Sequence, residues 1–350
     1  MRQSKIIIAE TIVPLLEQEL AAFRSEAIFI ISDENTERFC LPIILTIEKL
    51  RKSRLITIPA GDEHKNIDTL TYIWNELSTH GATRHSLVIN LGGGMVTDIG
   101  GFAAATFKRG CRFINIPTTL LSIVDAATGG KTGINFNGLK NEIGIFAPVQ
   151  AVLVGTQFLA TLDNKNLYSG FAEMIKHALI SSKKEYATLL ALSLEKQEWS
   201  KFCPILEANI AIKQRIVAED PKETGIRKSL NFGHTIGHAI ETLSHQTKQP
   251  VLHGYAIMWG MVCELYLSHI KMNFPSSTVT ELLSYCKEYY GQPTFLCEHY
   301  ETLYELMLHD KKNDGNGINF TLLSEIGQVH INQTATKNEI FEALDFLREN

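Results

Sequence analysis

Residues 86–107, SLVINLGGGMVTDIGGFAAATF, carry an almost wholly apolar strand into three consecutive glycines and then into a helical pattern. A strand with no polar face needs cover on both sides, which a parallel sheet layered between helices provides. EAIFIIS (26–32), RLITIPAG (54–61), FINIP (113–117) and AVLVG (151–155) repeat that strand signal. Between them, NIDTLTYIWNELSTHG has the apolar spacing of a helix that stops at Gly81. Residues 1–161 are therefore expected to form an α/β domain with a parallel, Rossmann-like sheet. Ligands of such sheets bind at the carboxyl ends of the strands.

The pattern changes near Leu162. KEYATLLALSLEKQEW, PILEANIAIKQRIVAED, LNFGHTIGHAIE and GYAIMWGMVCELYLSHI all read as helices, GINFTLLSEIGQVHI as a hairpin, and NEIFEALDFLREN as a closing helix. Residues 162–350 are expected to form a second, mostly helical domain, and a cleft between the two domains is the expected place for a small-molecule site. Charge narrows the partners. Thirty-three basic residues against 38 acidic ones give a net charge of −5, which leaves no broad basic field for nucleic acid or a membrane surface. Six scattered cysteines without a CxxC read as reduced cytosolic thiols. The apolar run of MRQSKIIIAE is too short for a signal peptide, and no stretch approaches the length of a membrane span. A soluble cytoplasmic protein is expected.

Three segments concentrate polar chemistry. The turn Gly92, Gly93, Gly94 opens a helix carrying Asp98, and Thr118 and Thr119 follow the next strand. A glycine turn at a helix N-terminus admits a phosphate close to free N–H groups. The stretch VDAATGGKTGINFNGLKNEIG gathers Asp125, Lys131, Lys140 and Asn141 among five glycines and reads as a long functional loop. In YSGFAEMIKHALI, Glu173, Lys176 and His177 share one face of an otherwise apolar helix. His234 and His238 are one turn apart, and His253 precedes a strongly apolar helix. Imidazole and carboxylate suit a catalytic zinc site with an open position. By residue chemistry alone Glu173, His234, His238 and His253 are all candidate ligands, unranked. HExxH does not occur, which argues against a zincin protease. Lys213, Arg227, Lys311 and Lys312 could together bind a substrate with two negative groups.

The motifs GGGMVTDIGGF, KRG, IPTTLLSIVDAATGGKTGIN, LKNEIG, SGFAEMIKH, GIRKSLNFGHTIGHAIE, LHGYAI and DKK occur in that order over residues 57–326. Together they resemble the 3-dehydroquinate synthases of the sugar phosphate cyclase family. The resemblance implies conversion of 3-deoxy-D-arabino-heptulosonate 7-phosphate to 3-dehydroquinate and phosphate, the second step of the shikimate pathway. NAD and a divalent metal, zinc or cobalt, serve alcohol oxidation, β-elimination of phosphate, ketone reduction, ring opening and an intramolecular aldol closure. It further implies that Glu173, His234 and His253 hold the metal while His238 faces the substrate. Asp125, Lys131, Asn141, Lys176, Lys213, Arg227, Asn231 and Lys312 are implied to line the substrate pocket. Asp62, Lys65, Gly92 to Gly94, Val96, Asp98, Thr118, Thr119, Asp125, Lys131 and Lys140 are implied to hold NAD. Arg109 matches an arginine that reaches the neighbouring subunit's phosphate site, so a homodimer is expected. Two departures stand out: PAGDEHK places the shorter Asp62 where the family has glutamate, and VDAATGG replaces DSSVGG. The competing readings are another sugar phosphate cyclase and a glycerol-dehydrogenase-like oxidoreductase.

Overall fold

A computed structural model describes residues 5–23, 27–127, 129–137, 139–308 and 317–350. The chain divides into two units, Met1–Asp163 with Lys196–Ile210, and Asn164–Glu195 with Ala211–Asn350.

In the first unit the elements are β1 (Lys5–Ala9), α1 (Ile12–Ala21), β2 (Ile28–Asp33), α2 (Glu34–Phe39), α3 (Leu41–Ile44), β3 (Arg54–Ile58), α4 (Ile67–Thr79), β4 (Leu87–Gly92), α5 (Gly94–Thr106), β5 (Arg112–Pro117), β6 (Lys131–Phe136), β7 (Leu139–Phe146) and β8 (Ala151–Gly155). Six of the strands form one parallel sheet in the order β1-β8-β5-β4-β2-β3. All six residues of β4 are buried, as its sequence requires. Ile30, Ile89 and Ile114 lie side by side across three strands. They share a core with Ile12 and Leu16 of α1. From β2 the chain steps outward to β3, then returns past β2 to β4, β5 and β8. That reversal puts Gly92, the last residue of β4, at a topological switch point.

The expected glycine loop over 124–144 is instead a turn followed by the antiparallel hairpin β6–β7. Its glycines are part of the pairing: Gly133 lies opposite Gly144, and a Cβ added to either would sit 3.1 Å from the partner's Cα. Glycine there permits close strand approach.

The second unit holds α6 (Asn164–Leu179), α7 (Lys183–Leu190), the later half of α8 (Cys203–Glu219), α9 (His234–Gln246), α10 (His253–Met272), α11 (Ser276–Tyr289), α12 (Tyr300–Leu308), the hairpin β9 (Phe320–Glu325) with β10 (Gln328–Gln333), and α13 (Lys337–Glu349). Helix α7 is half the length expected, ending at Leu190 before a 3-10 turn over Leu194–Lys196. Leu190, Leu192 and Leu194 alternate, a period that one helix face cannot hold. α10 packs on α6, α9, α11, α13 and β9 and is buried nearly all round, which explains its continuous apolar sequence. No described helix is long and apolar enough to cross a membrane.

Candidate active site

In the first unit, Gly92 to Gly94 join β4 to α5, with Gly93 as the helix N-cap offering no side chain of its own. None of the three has a left-handed backbone; their use is to leave the N–H groups open. Val96 is fully buried beneath the turn, Thr118 is buried, and the Thr118 N–H donates to the Gly92 carbonyl at 3.0 Å. Thr119 Oγ1 donates to Ser122 Oγ at 3.0 Å. Asp98 stands one turn into α5, and Lys65 Nζ reaches its carboxylate at 3.1 Å, Asn141 Oδ1 at 2.7 Å and Asp62 Oδ1 at 3.5 Å. Lys140 Nζ is 3.3 Å from Asp62 Oδ2, and Asn135 Nδ2 donates to the same oxygen at 3.2 Å. The structure therefore gathers Asp62, Lys65, Asp98, Lys140 and Asn141 at one point.

Burial works against the Lys65 ammonium, but Asp98 and Asp62 outweigh it and raise its pKa. Burial also raises Asp98 despite Lys65. For Asp62 the burial effect is overcome by Lys65, Lys140 and Asn135, which hold its carboxyl below the usual range. The ionised Asp62 is already engaged by two ammonium groups, the shorter side chain notwithstanding.

Asp125 lies in the turn Ser122–Ala126, and Lys131 opens β6 with its side chain exposed. Arg109 is held elsewhere, in a turn where both it and Lys108 have left-handed backbones (φ 64° and 48°). Two adjacent non-glycine residues in that region cost about 1–3 kcal/mol each. With Thr83, Arg84 and His85 they line a surface depression of about 550 Å³.

In the second unit, Glu173, Lys176 and His177 are buried on α6, and Lys176 Nζ is ion-paired to Glu173 Oε2. Glu173 Oε1 lies 3.5 Å from His234 Nε2 and 3.6 Å from His253 Nε2. His238 completes a triangle, its ring centroid 5.1 Å from His234 and 5.8 Å from His253. Nitrogens of the three imidazoles lie within 4.8 Å of one another. Gly233, with φ +78°, sets His234 at the first position of α9; any side chain there would overlap Met261. The Nδ1 atom of His234 is 3.0 Å from the Phe232 carbonyl, and that of His253 is 3.2 Å from Glu241 Oε2. A carbonyl and a carboxylate only accept, so in the neutral rings both protons sit on Nδ1 and both Nε2 lone pairs face Glu173. Burial opposes charge on His253, yet without a cation Glu241 and Glu173 prevail and raise its pKa to about 10, so a metal ion binding there displaces a proton from Nε2. This donor set, two oriented imidazoles and a carboxylate beside a third histidine, fits a divalent cation such as zinc.

Lys213 and Arg227 are buried. Asp220 organises the turn before Arg227, accepting from the N–H groups of Gly225 at 2.7 Å and Arg227 at 3.1 Å. Burial works against the Asp220 carboxylate, but these donors hold its pKa low. Arg227 Nη1 donates to the Pro221 carbonyl at 2.9 Å, and Asn231 Nδ2 to Glu223 Oε1 at 3.2 Å. Lys311 and Lys312 lie outside the described residues. Sequence reasoning missed Asp220, Glu223, Glu241 and Glu264. Only Glu264 carried a signal, as a lone carboxylate in the apolar run GMVCELYL.

Residues 55–169 match the family profile described as 3-dehydroquinate synthase N-terminal, and residues 170–313 the corresponding C-terminal profile. A 3-dehydroquinate synthase of Parabacteroides distasonis is 51% identical over 349 residues, covering 100% of this chain and 99% of that protein. Among solved structures, 2-epi-5-epi-valiolone synthase from Streptomyces hygroscopicus, with NAD+ and Zn2+ bound, shares the fold at a TM-score of 0.86. It is 23% identical and covers 99% of this chain and 97% of its own. A 2-deoxy-scyllo-inosose synthase complexed with carbaglucose-6-phosphate, NAD+ and Co2+ matches at a TM-score of 0.83 and 23% identity, covering 97% and 95% of the two chains. With both profiles matched along most of its length and a full-length relative at half identity, this chain belongs to the 3-dehydroquinate synthase family.

Proposed function

We propose that the chain catalyses the 3-dehydroquinate synthase reaction, converting 3-deoxy-D-arabino-heptulosonate 7-phosphate to 3-dehydroquinate and phosphate. The observation that carries the site is the convergence of His234 Nε2 and His253 Nε2 on one oxygen of buried Glu173. Glu173, His234 and His253 hold a divalent cation, zinc or cobalt, and the glycine turn with Asp62, Lys65, Asp98, Thr118, Thr119 and Lys140 holds NAD. When bound, NAD supplies reversible hydride acceptance and the cation supplies Lewis acidity toward a substrate oxygen.

The chain's own residues bind and orient. Lys176, ion-paired to Glu173, Lys213 and Arg227 receive the substrate's phosphate and carboxylate, with Lys312 assigned by its motif alone. Arg227 comes with its backbone pinned by Asp220 and one guanidinium nitrogen anchored, so less freedom is lost on binding. Asn231, braced by Glu223, presents its amide to a hydroxyl or carboxylate, and Asp125, Lys131 and Asn141 contribute further polar contacts. His238 lies in the histidine triangle with His234 and His253 and takes the proton-handling role. The basic depression around Arg109 supports a homodimer in which that arginine serves the neighbouring copy. Six free cysteines accord with a cytoplasmic enzyme.

Turnover of the heptulosonate phosphate against sedoheptulose 7-phosphate and glucose 6-phosphate tests the reading. Cyclisation of the heptulosonate supports it, and cyclisation of only the other two sugars overturns it in favour of another cyclase.

A further inference from the structure

The two histidines that face Glu173 each stand at the first position of their own helix, His234 on α9 and His253 on α10. Neither helix has a side-chain N-cap of its own. A helix start leaves N–H groups that a Ser, Asp or Asn ordinarily satisfies at the N2 and N3 positions. Gly233 can supply none. Instead Glu264, fully buried on α10, accepts from Gly233 N at 2.7 Å, Thr235 N at 3.2 Å and Ile236 N at 3.3 Å. A carboxylate from the other helix thus does the capping, with its charge at the positive end of α9. The reverse contact is also present. Glu241, buried on α9, meets Nδ1 of His253 at the start of α10 at 3.2 Å.

We infer that Glu264 and Glu241 are positioning residues forming a reciprocal brace, each helix lending a carboxylate to the histidine-bearing end of the other. Glu264 holds the backbone on both sides of His234, and Glu241 fixes the tautomer and rotation of His253. The pair keeps both Nε2 atoms facing Glu173 before any cation arrives. Each contact crosses between the helices, so loosening either one shifts α9 against α10 and disturbs both ligands. The inference rests on His234 and His253 being metal ligands, as proposed above.

The test uses the full chain stripped of metal, with Glu264→Gln, Glu241→Gln and the double variant titrated with Co2+ against a chelator. Each single variant should bind Co2+ about 10- to 100-fold more weakly, the usual cost of losing a partner behind a ligand, and its visible cobalt spectrum should shift. Because both act on one geometry, the double variant should lose less than the product of the two single losses. Variants that unfold at a lower temperature but bind Co2+ with the parent's affinity and spectrum would show ordinary structural carboxylates and overturn the brace. A double loss equal to the product would overturn the reciprocity. Should Glu264→Gln fail to fold, Glu264→Asp keeps the charge on a shorter arm and should weaken Co2+ binding by a smaller factor; parent-like binding there overturns the assignment. If the parent chain itself takes up no equivalent of Co2+, the metal centre fails, and the brace fails with it by a distinguishable route.

Discussion

Glu173 Oε1 lies 3.5 Å from Nε2 of His234, with both side chains on the buried faces of their helices. His238, one turn along the same helix, has its ring centroid 5.1 Å from that of His234, and the roles proposed above divide two histidines that spacing alone leaves equivalent. Glu173→Gln and His234→Ala should each lower zinc or cobalt affinity by at least about 100-fold, the upper end of what losing even an outer partner costs. His238→Ala should keep the metal and lose about 10²- to 10⁴-fold in kcat, as expected for a proton-transfer group. Metal content by elemental analysis alongside kcat decides it; equal metal loss in all three variants would remove the division of labour.

Lys65 gathers Asp98, Asn141 and Asp62 around one ammonium. Lys65→Met should raise the KM for NAD by about 10- to 100-fold, the value of a charged hydrogen bond, with a smaller change in kcat. Because burial already raises Asp98, removing the ammonium should raise it further, and the NAD defect should ease as pH rises and Asp98 ionises. An unchanged KM for NAD would take Lys65 out of the cofactor site.

Gly233→Ala places a side chain at φ +78° and against Met261. The left-handed backbone alone costs roughly 1–2 kcal/mol, and the overlap adds to it. Thermal unfolding should therefore fall by several degrees, and cobalt uptake should weaken as His234 is displaced. A parent-like unfolding temperature would contradict the geometry.

At the start of α13, Thr336 and Glu339 cap one another: Glu339 N donates to Thr336 Oγ1 at 3.3 Å, and Thr336 N to Glu339 Oε2 at 2.6 Å. The Thr336 N–H first, and then Lys271, hold the Glu339 carboxyl below its ordinary range. A depressed folded-state pKa means the ionised form stabilises, fully above the unfolded value and less as pH falls through the folded one. Glu339→Gln should cost about 0.5–2 kcal/mol at pH 7, and the gap should close below about pH 4. Denaturant midpoints at both pH values check the sign.

The parallel sheet was legible because its strands are apolar on both faces, and VINLGGG could be placed at a strand's carboxyl end from its own residues. The hairpin over 131–146 was not, because Gly133 and Gly144 dilute a strand pattern while serving its closest approach. Among the polar groups, motif matching named Glu173, His234 and His253, and residue chemistry alone had left His238 level with them. The residues that position them escaped for a common reason. Glu264 serves N–H groups some thirty positions earlier in the chain, and Glu241 serves an imidazole twelve positions later. Such pairings exist only once α9 and α10 have packed. Asp220 and Glu223 lie in a turn whose sequence, EDPKETG, reads as an ordinary solvated loop.

The account is tested most directly by following phosphate release and absorbance at 340 nm together, in the purified chain with zinc, NAD and 3-deoxy-D-arabino-heptulosonate 7-phosphate. It predicts one phosphate released per 3-dehydroquinate formed, with no net NADH and with loss of turnover on chelation. NADH accumulating without phosphate release, or no release from fully metal-loaded protein, would contradict it.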